Sequence, residues 1–211
     1  MEYVAGRDKK EGPCMARVDE DIELVLRSKK GEVSAFGELV GRYQSLVVNF
    51  CYGMLGNRED AEDIAQEAFL RAFAAIRRFQ PKAKFSTWLL TIAKNLALNL
   101  LRDERRRGRD VQFTDLFEED VQAVELVPTD NPGPDQALGQ KERAARVHQA
   151  VQQLSDIHRS IIVLREFEGM TYEEIAKIMG CRKGTVKSRL SRARDHLKEI
   201  LTETGNGSTL C

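Results

Sequence analysis

The 211-residue chain has no apolar run near the ~20 residues that span a bilayer. Its start (Met1, Glu2, Tyr3, Asp8, Lys9, Lys10, Glu11) lacks the apolar stretch of a secretion signal. Together these absences predict an intracellular, cytoplasmic protein with no membrane insertion. Net charge is missing as well: 33 Lys and Arg balance 33 Asp and Glu, so only local charge can draw the chain to a polyanion. The four cysteines, Cys14, Cys51, Cys181 and Cys211, are scattered singly, without the CxxC-type spacing or the partner histidines of a zinc site. They read as reduced, structural residues. His148, His158 and His196 have no neighbouring nucleophile-and-base arrangement, and the isolated glycines form no GxxxxGK[ST] loop. No catalytic residue, metal, cofactor or small-molecule substrate is predicted.

What remains is 42% apolar residues, enough to close a core in each of two small domains or in one medium one. Zero net charge conceals a segregation along the chain. From Lys82 to Arg109 eight bases face two acids, a local charge of +6. From Asp110 to Gln140 there are eight acids and no base, and from Lys177 to Lys198 eight bases face Asp195 alone, giving +7. Two basic modules around an acidic connector suit a protein that touches a polyanion at two separated places. On charge alone, two solvated helix faces and a solubilising linker are the simpler reading. Pro128, Pro132, Gly133 and Pro134 break any helix in the connector, so Arg109 to about Asp135 reads as an interdomain linker. Val111, Phe113, Leu116 and Phe117 make it apolar enough to dock.

The N-terminal module, from Asp19 to Arg107, shows helical periodicity without sustained period-two alternation and is predicted all-α. Ser34 is the expected cap of a helix reaching about Leu55. Asn57 caps the next, whose buried stripe (Ala61, Ile64, Ala68, Phe69, Ala72, Ile76, Phe79) runs until Pro81 ends it. The outer face of that helix opens with Glu59, Asp60, Glu62, Asp63, Gln66 and Glu67, which favour its positive N-terminus. Ser86 is the expected cap of a further helix with Phe85, Trp88, Leu89, Ile92, Leu96 and Leu100 inward. A second stripe, Thr87, Thr91, Lys94, Asn95 and Arg102, lies on another face. Phe85 and Trp88, with Lys82 and Lys84 beside them, have the chemistry to stack on exposed bases while the lysines hold the backbone. A lone Trp on a helix serves a core equally well.

The C-terminal module reads as a helix from about Lys141 to Leu154, another capped by Ser155 and running to Glu168, and a pair separated by Gly180. Thr171 with Glu174 forms a capping box. The last helix starts near Lys183 with Val186, Leu190, Ala193 and Leu197 inward and Lys187, Ser188, Ser191 and Arg192 outward. This is the pattern of a DNA-binding helix-turn-helix, whose second helix has basic residues to reach phosphates or guanine edges.

EDAEDIAQEAFLRAFAAIRRF followed by FSTWLLTIAKNLALNLLR, and later SIIVLREFEGMTYEEIAKIMGCRKGTVKSRLSRAR, resemble the bacterial extracytoplasmic-function (ECF, group IV) RNA polymerase sigma factors over about Asp19 to Leu201. The resemblance implies an all-α chain of two small helical domains, sigma-2 and a sigma-4 helix-turn-helix, joined by an acidic flexible linker. The expected boundaries are an extension over 1–18, in which Met15 is a possible initiator, sigma-2 over 19–108, linker over 109–139, sigma-4 over 140–201 and a tail over 202–211. It implies docking on core RNA polymerase, at the β′ coiled coil through Asp63, Gln66, Glu67 and Phe69 and at the β flap. It implies promoter -10 recognition and melting by Lys84, Phe85, Trp88, Lys94 and Asn95, with Asn95 holding a flipped base. Lys187, Ser188, Ser191 and Arg192 match the positions that read the -35 element, and the acidic linker resembles one that threads polymerase channels. An anti-sigma factor and a stress or envelope signal are the control such a resemblance implies. Two other classes fit the bare residues. A free-standing helix-turn-helix regulator would need two-fold operators, and an interaction adaptor using the acidic helix would show no salt-dependent DNA affinity.

Overall fold

The computed structural model describes residues 16–81, 83–108 and 134–206. Lys82, residues 1–15, the linker positions Val111, Phe113, Leu116 and Phe117, and Cys14 and Cys211 lie outside the described residues. Eight helices occur among the described residues, with no strand: α1 (Ala16–Lys29), α2 (Val33–Leu55), α3 (Arg58–Ala75), α4 (Phe85–Arg106), α5 (Pro134–Gln152), α6 (Asp156–Ile162), α7 (Tyr172–Met179) and α8 (Lys183–Asn206).

Helix ends follow local chemistry. Asn57 caps α3 by accepting from the Glu59 N–H at 2.9 Å, a contact of about 1 kcal/mol. The Thr171–Glu174 capping box forms at α7 as expected. Gly180 closes α7 at φ +61°, a left-handed conformation that a side chain would strain, and turns the chain towards α8. Other ends correct the sequence reading. α2 starts at Val33 with Glu32 in the cap position, because Glu32 is pinned by an ion pair with Arg27 and the Ser34 hydroxyl turns back to it. α3 stops at Ala75 and tightens into a 3₁₀ turn, Ile76–Arg78, instead of running to Phe79. Three residues per turn put Ile76 and Phe79 over one another, and both are buried.

α4 begins at Phe85, with Lys84 rather than Ser86 in the cap position. The Phe85 ring is drawn into an aromatic cluster with Phe36, Tyr43 and Phe79. α5 begins at Pro134, ahead of the expected Lys141; proline suits a first helical position, where its missing N–H costs nothing. The helix expected to reach Glu168 changes at Val163 into a π-helical turn, Val163–Phe167, with the Glu168 N–H bonded to the Val163 carbonyl.

α2 is the shared spine. Its length packs on α1, α3 and α4, while its last turns pack on α5, α6 and the π-helical turn. One continuous apolar cluster therefore runs from Leu24 through Phe50 and Met54 to Val163, Ile178 and Leu190. Gly53 sits inside α2 where a Cβ would lie 2.8 Å from Cγ1 of Val163. A glycine within a helix costs ~1 kcal/mol relative to alanine, and here it admits the neighbouring module against the α2 backbone.

Candidate nucleic-acid interface

Three surfaces carry the residues singled out in the sequence. On α3, Asp63 and Gln66 are exposed and Glu67 holds Arg71 at 2.7 Å one turn on. Arg58 and Glu62 form a similar pair at 2.9 Å. Phe69 is buried, with its ring lining a groove of about 770 Å³ between α2 and α3. Leu70 and Phe73, exposed at the rim of that groove, are absent from the sequence reading. They fall off the buried stripe of α3, and large apolar side chains off the stripe of an amphipathic helix were the signal that could have found them.

The second surface is α4. Phe85 is 2% exposed, inside the core, and in this structure cannot stack on a base. It instead supports Trp88, whose half-buried ring packs at 5.7 Å from Phe85 and 4.9 Å from Phe79. Of the expected polar stripe, Thr87 is buried and the Thr91 hydroxyl is turned to the Thr87 carbonyl at 2.8 Å. Asn95 and Arg102 point outward, with Arg102 donating to the Asn99 side chain at 3.1 Å. The cations of the segment are engaged. Lys84 Nζ lies 2.6 Å from Glu174 Oε1, and Lys94 Nζ donates to the Ile178 carbonyl at 2.9 Å, both partners belonging to α7. Burial lowers the Lys94 pKa.

The third surface is α8. Val186, Leu190 and Ala193 are buried, which turns Lys187, Ser188, Ser191 and Arg192 outward, and all four are exposed. Lys187 Nζ stands 6.0 Å over the Tyr172 ring, and Ser188 Oγ donates to the Thr185 carbonyl at 3.1 Å. His158 is lowered by burial and then by the positive field of His196, Arg192 and Arg189, a sign of the cationic potential along this helix. Lys183 pairs with Glu173 and Arg194 with Glu166, so α8 is braced on the turns before it.

Among the described residues no group of three or more His, Cys, Asp or Glu could hold a metal ion, and no helix is long and apolar enough to cross a membrane. A cationic helix-turn-helix joined to a helical module with an acidic outer face defines a transcription-type architecture, and the comparisons specify it. Residues 39–107 match Sigma-70 region 2 and residues 144–197 match Sigma-70, region 4.

The chain is 38% identical over 189 residues to the RNA polymerase sigma-H factor of Pseudomonas aeruginosa, covering 89% of this chain and 96% of that protein. It is 35% identical over 178 residues to the ECF RNA polymerase sigma factor SigW of Bacillus subtilis, covering 83% and 93%. Among solved structures, the sigma factor RpoE in complex with the anti-sigma factor NepR from Bartonella quintana superposes with a TM-score of 0.56 at 30% identity, covering 79% of this chain and 96% of that one. CnrH in complex with the cytosolic domain of CnrY shares the fold, with a TM-score of 0.63 at 24% identity over 87% and 97% of the two chains. The chain belongs to the ECF RNA polymerase sigma factors.

Proposed function

We propose that this sigma factor binds core RNA polymerase and directs initiation by reading a -35 element with α8 and a -10 element with α4, without enzymatic chemistry of its own. The observation that carries the reading is the pairing of an outward cationic face on α8 with an outward Asn95 on α4, each set by a buried apolar face on the same helix.

Lys187 and Arg192 have the reach and charge for phosphates or guanine edges, and Ser188 and Ser191 leave room for close approach. Asn95 offers an amide donor and acceptor to an extruded base, with Trp88 and Lys94 as its neighbours on the helix. Extrusion costs a few kcal/mol of stacking and pairing, so capture of the open strand tilts melting without ATP. Phe85 acts by fixing Trp88. On α3, Asp63, Gln66 and Glu67 present acidic and amide groups to the β′ coiled coil, and Phe69 shapes the adjoining groove. The partner RpoE carries in its complex, an anti-sigma factor, supports the same control here. The site of action is the cytoplasm.

In vitro transcription with purified core polymerase tests this. Addition of the chain is expected to produce initiation from an asymmetric promoter. Salt-dependent duplex binding at a two-fold operator with no new transcript would replace this reading with a free-standing regulator.

A further inference from the structure

We propose that His158 of α6 joins Arg189, Arg192 and His196 of α8 in a corner that grips a backbone phosphate of the -35 duplex and takes up a proton from solvent as it does so. The inference rests on the -35 reading of α8 given above and adds His158, Arg189 and His196 to it.

The cations on the two flanks of α8 are partnered differently. On the flank towards α7 each has a neighbour: Lys183 pairs with Glu173, Arg194 with Glu166, and Lys187 stands over the Tyr172 ring. On the other flank Arg189, Arg192 and His196 recur at three and four residues, all exposed, and none of them forms an ion pair among the described residues. α6 packs on α8 and brings half-buried His158 up to these same three groups.

Nearby charges are committed elsewhere. Asp156, on the helix of His158, is held by Arg105, and Glu166 is held by Arg194. Arg159 turns inward to the Met54, Gln152 and Leu154 carbonyls, and Arg165 donates to the Met170 carbonyl. From α5, His148 stacks on Tyr52, and the last turn of α2 carries no charged residue. Asp195 lines a pocket on the opposite flank with Tyr172 and Lys187, and Glu199, one turn past His196, makes no ion pair among the described residues.

Like charges gathered without a counter-ion repel one another, and a bound anion removes that cost. Arg192 also belongs to the outward face that carries Lys187, Ser188 and Ser191. An anion at this corner therefore lies at the edge of a duplex seated on that face, where phosphates run, which favours nucleic acid over an acidic protein as its source. Arginine offers a fork of N–H donors, and a protonated imidazole adds a further charged donor. In the free chain, burial and then the positive neighbours favour the neutral His158 imidazole. A phosphate reverses the sign of the local field, so an imidazole nitrogen gains a proton that returns to solvent on dissociation. The complex then carries more protons than the free chain, and affinity rises as pH falls through the histidine range.

The probe is a fluorescent duplex with the -35 half of a promoter that the chain transcribes with core polymerase, titrated with the full chain at fixed salt. Binding should tighten ~5-fold from pH 8 to pH 6. His158→Gln should lose that gain while keeping the affinity seen at pH 8, and His158→Lys should bind at pH 8 as tightly as the parent does at pH 6. Arg189→Gln should weaken binding ~5-fold at both pH values and flatten the salt dependence by about one ion. Calorimetry at pH 6.5 in buffers of different protonation enthalpy should show proton uptake by the parent and less by His158→Gln. Affinity that ignores pH, or a pH gain that survives in His158→Gln, overturns the proposal. A pH gain that appears in core-polymerase binding and not in duplex binding overturns it too, and assigns the corner to an acidic protein surface. A parent chain that never supports transcription overturns the sigma-factor reading instead, and this proposal with it.

Discussion

The two helices proposed as nucleic-acid readers, α4 and α8, are built alike and presented differently. Both are long amphipathic helices with a buried apolar stripe and a polar outer face, yet on α8 Lys187, Ser188, Ser191 and Arg192 are exposed while on α4 Lys84 and Lys94 are bound to α7. Residue chemistry alone does not make a DNA-binding surface. A cation already satisfied by a carboxylate or a helix C-terminus must exchange that partner for a phosphate, so the covered reader binds only when something else offsets the exchange.

The comparison breaks most severely at Arg159. Arg159→Met leaves the Met54, Gln152 and Leu154 carbonyls without their donor, and is expected to lower unfolding stability by about 3 kcal/mol in denaturant melts. An unchanged midpoint would show that the clasp is not a structural anchor.

Next comes Glu168, beside the turn that packs on α2. Burial pushes its carboxyl up to about 7 from an ordinary 4.5, so the folded chain keeps a proton that the unfolded chain releases between those values. Stability should fall as pH rises from 4.5 to 7 and level off above. Glu168→Gln should flatten that slope and raise stability at pH 8 by roughly 2 kcal/mol.

Asn95→Ala is expected to lose about 2 kcal/mol in open-complex formation, read by permanganate reactivity, while polymerase binding stays intact. Equal open-complex yield would remove Asn95 from the -10 site. Lys187→Ala should cost about 1 kcal/mol in -35 duplex affinity and flatten the salt dependence by about one ion, with no effect on strand binding by α4.

The smallest effect concerns His148, which stacks on Tyr52 at 4.5 Å where α5 meets α2. Burial lowers its pKa and the nearby Arg159 charge adds to that, against a Tyr52 carbonyl contact. Because the folded chain disfavours the imidazolium, this contact stabilises fully above pH 6.5 and less as pH falls below it. His148→Phe should remove this contribution and leave the opposite slope from Glu168 in that acidic range, read as the midpoint of denaturant melts against pH.

The helices were legible because their stripes and caps are local. Asn57, the capping box and the inward residues of α8 follow from spacing alone. Boundaries failed where tertiary packing overrode a local signal: Phe85 entered the aromatic cluster and displaced Ser86 from the cap, and the Ile76–Phe79 pair tightened a helix expected to continue. The outward positions Asn95, Lys187, Ser188, Ser191 and Arg192 were readable from the apolar positions beside them. Partnership between the two modules was not. Nothing local marks Lys84 for a carboxylate 90 residues away, or Gly53 as the point where a second module approaches.

Glu174 divides its two oxygens between two duties. Oε2 accepts from the Thr171 N–H and hydroxyl at 2.9 and 2.8 Å, while Oε1 is lent to Lys84. Loss of the lysine contact would thus leave the start of α7 stitched by its own capping box. One carboxylate thus serves both the packing of two helices and the integrity of one of them.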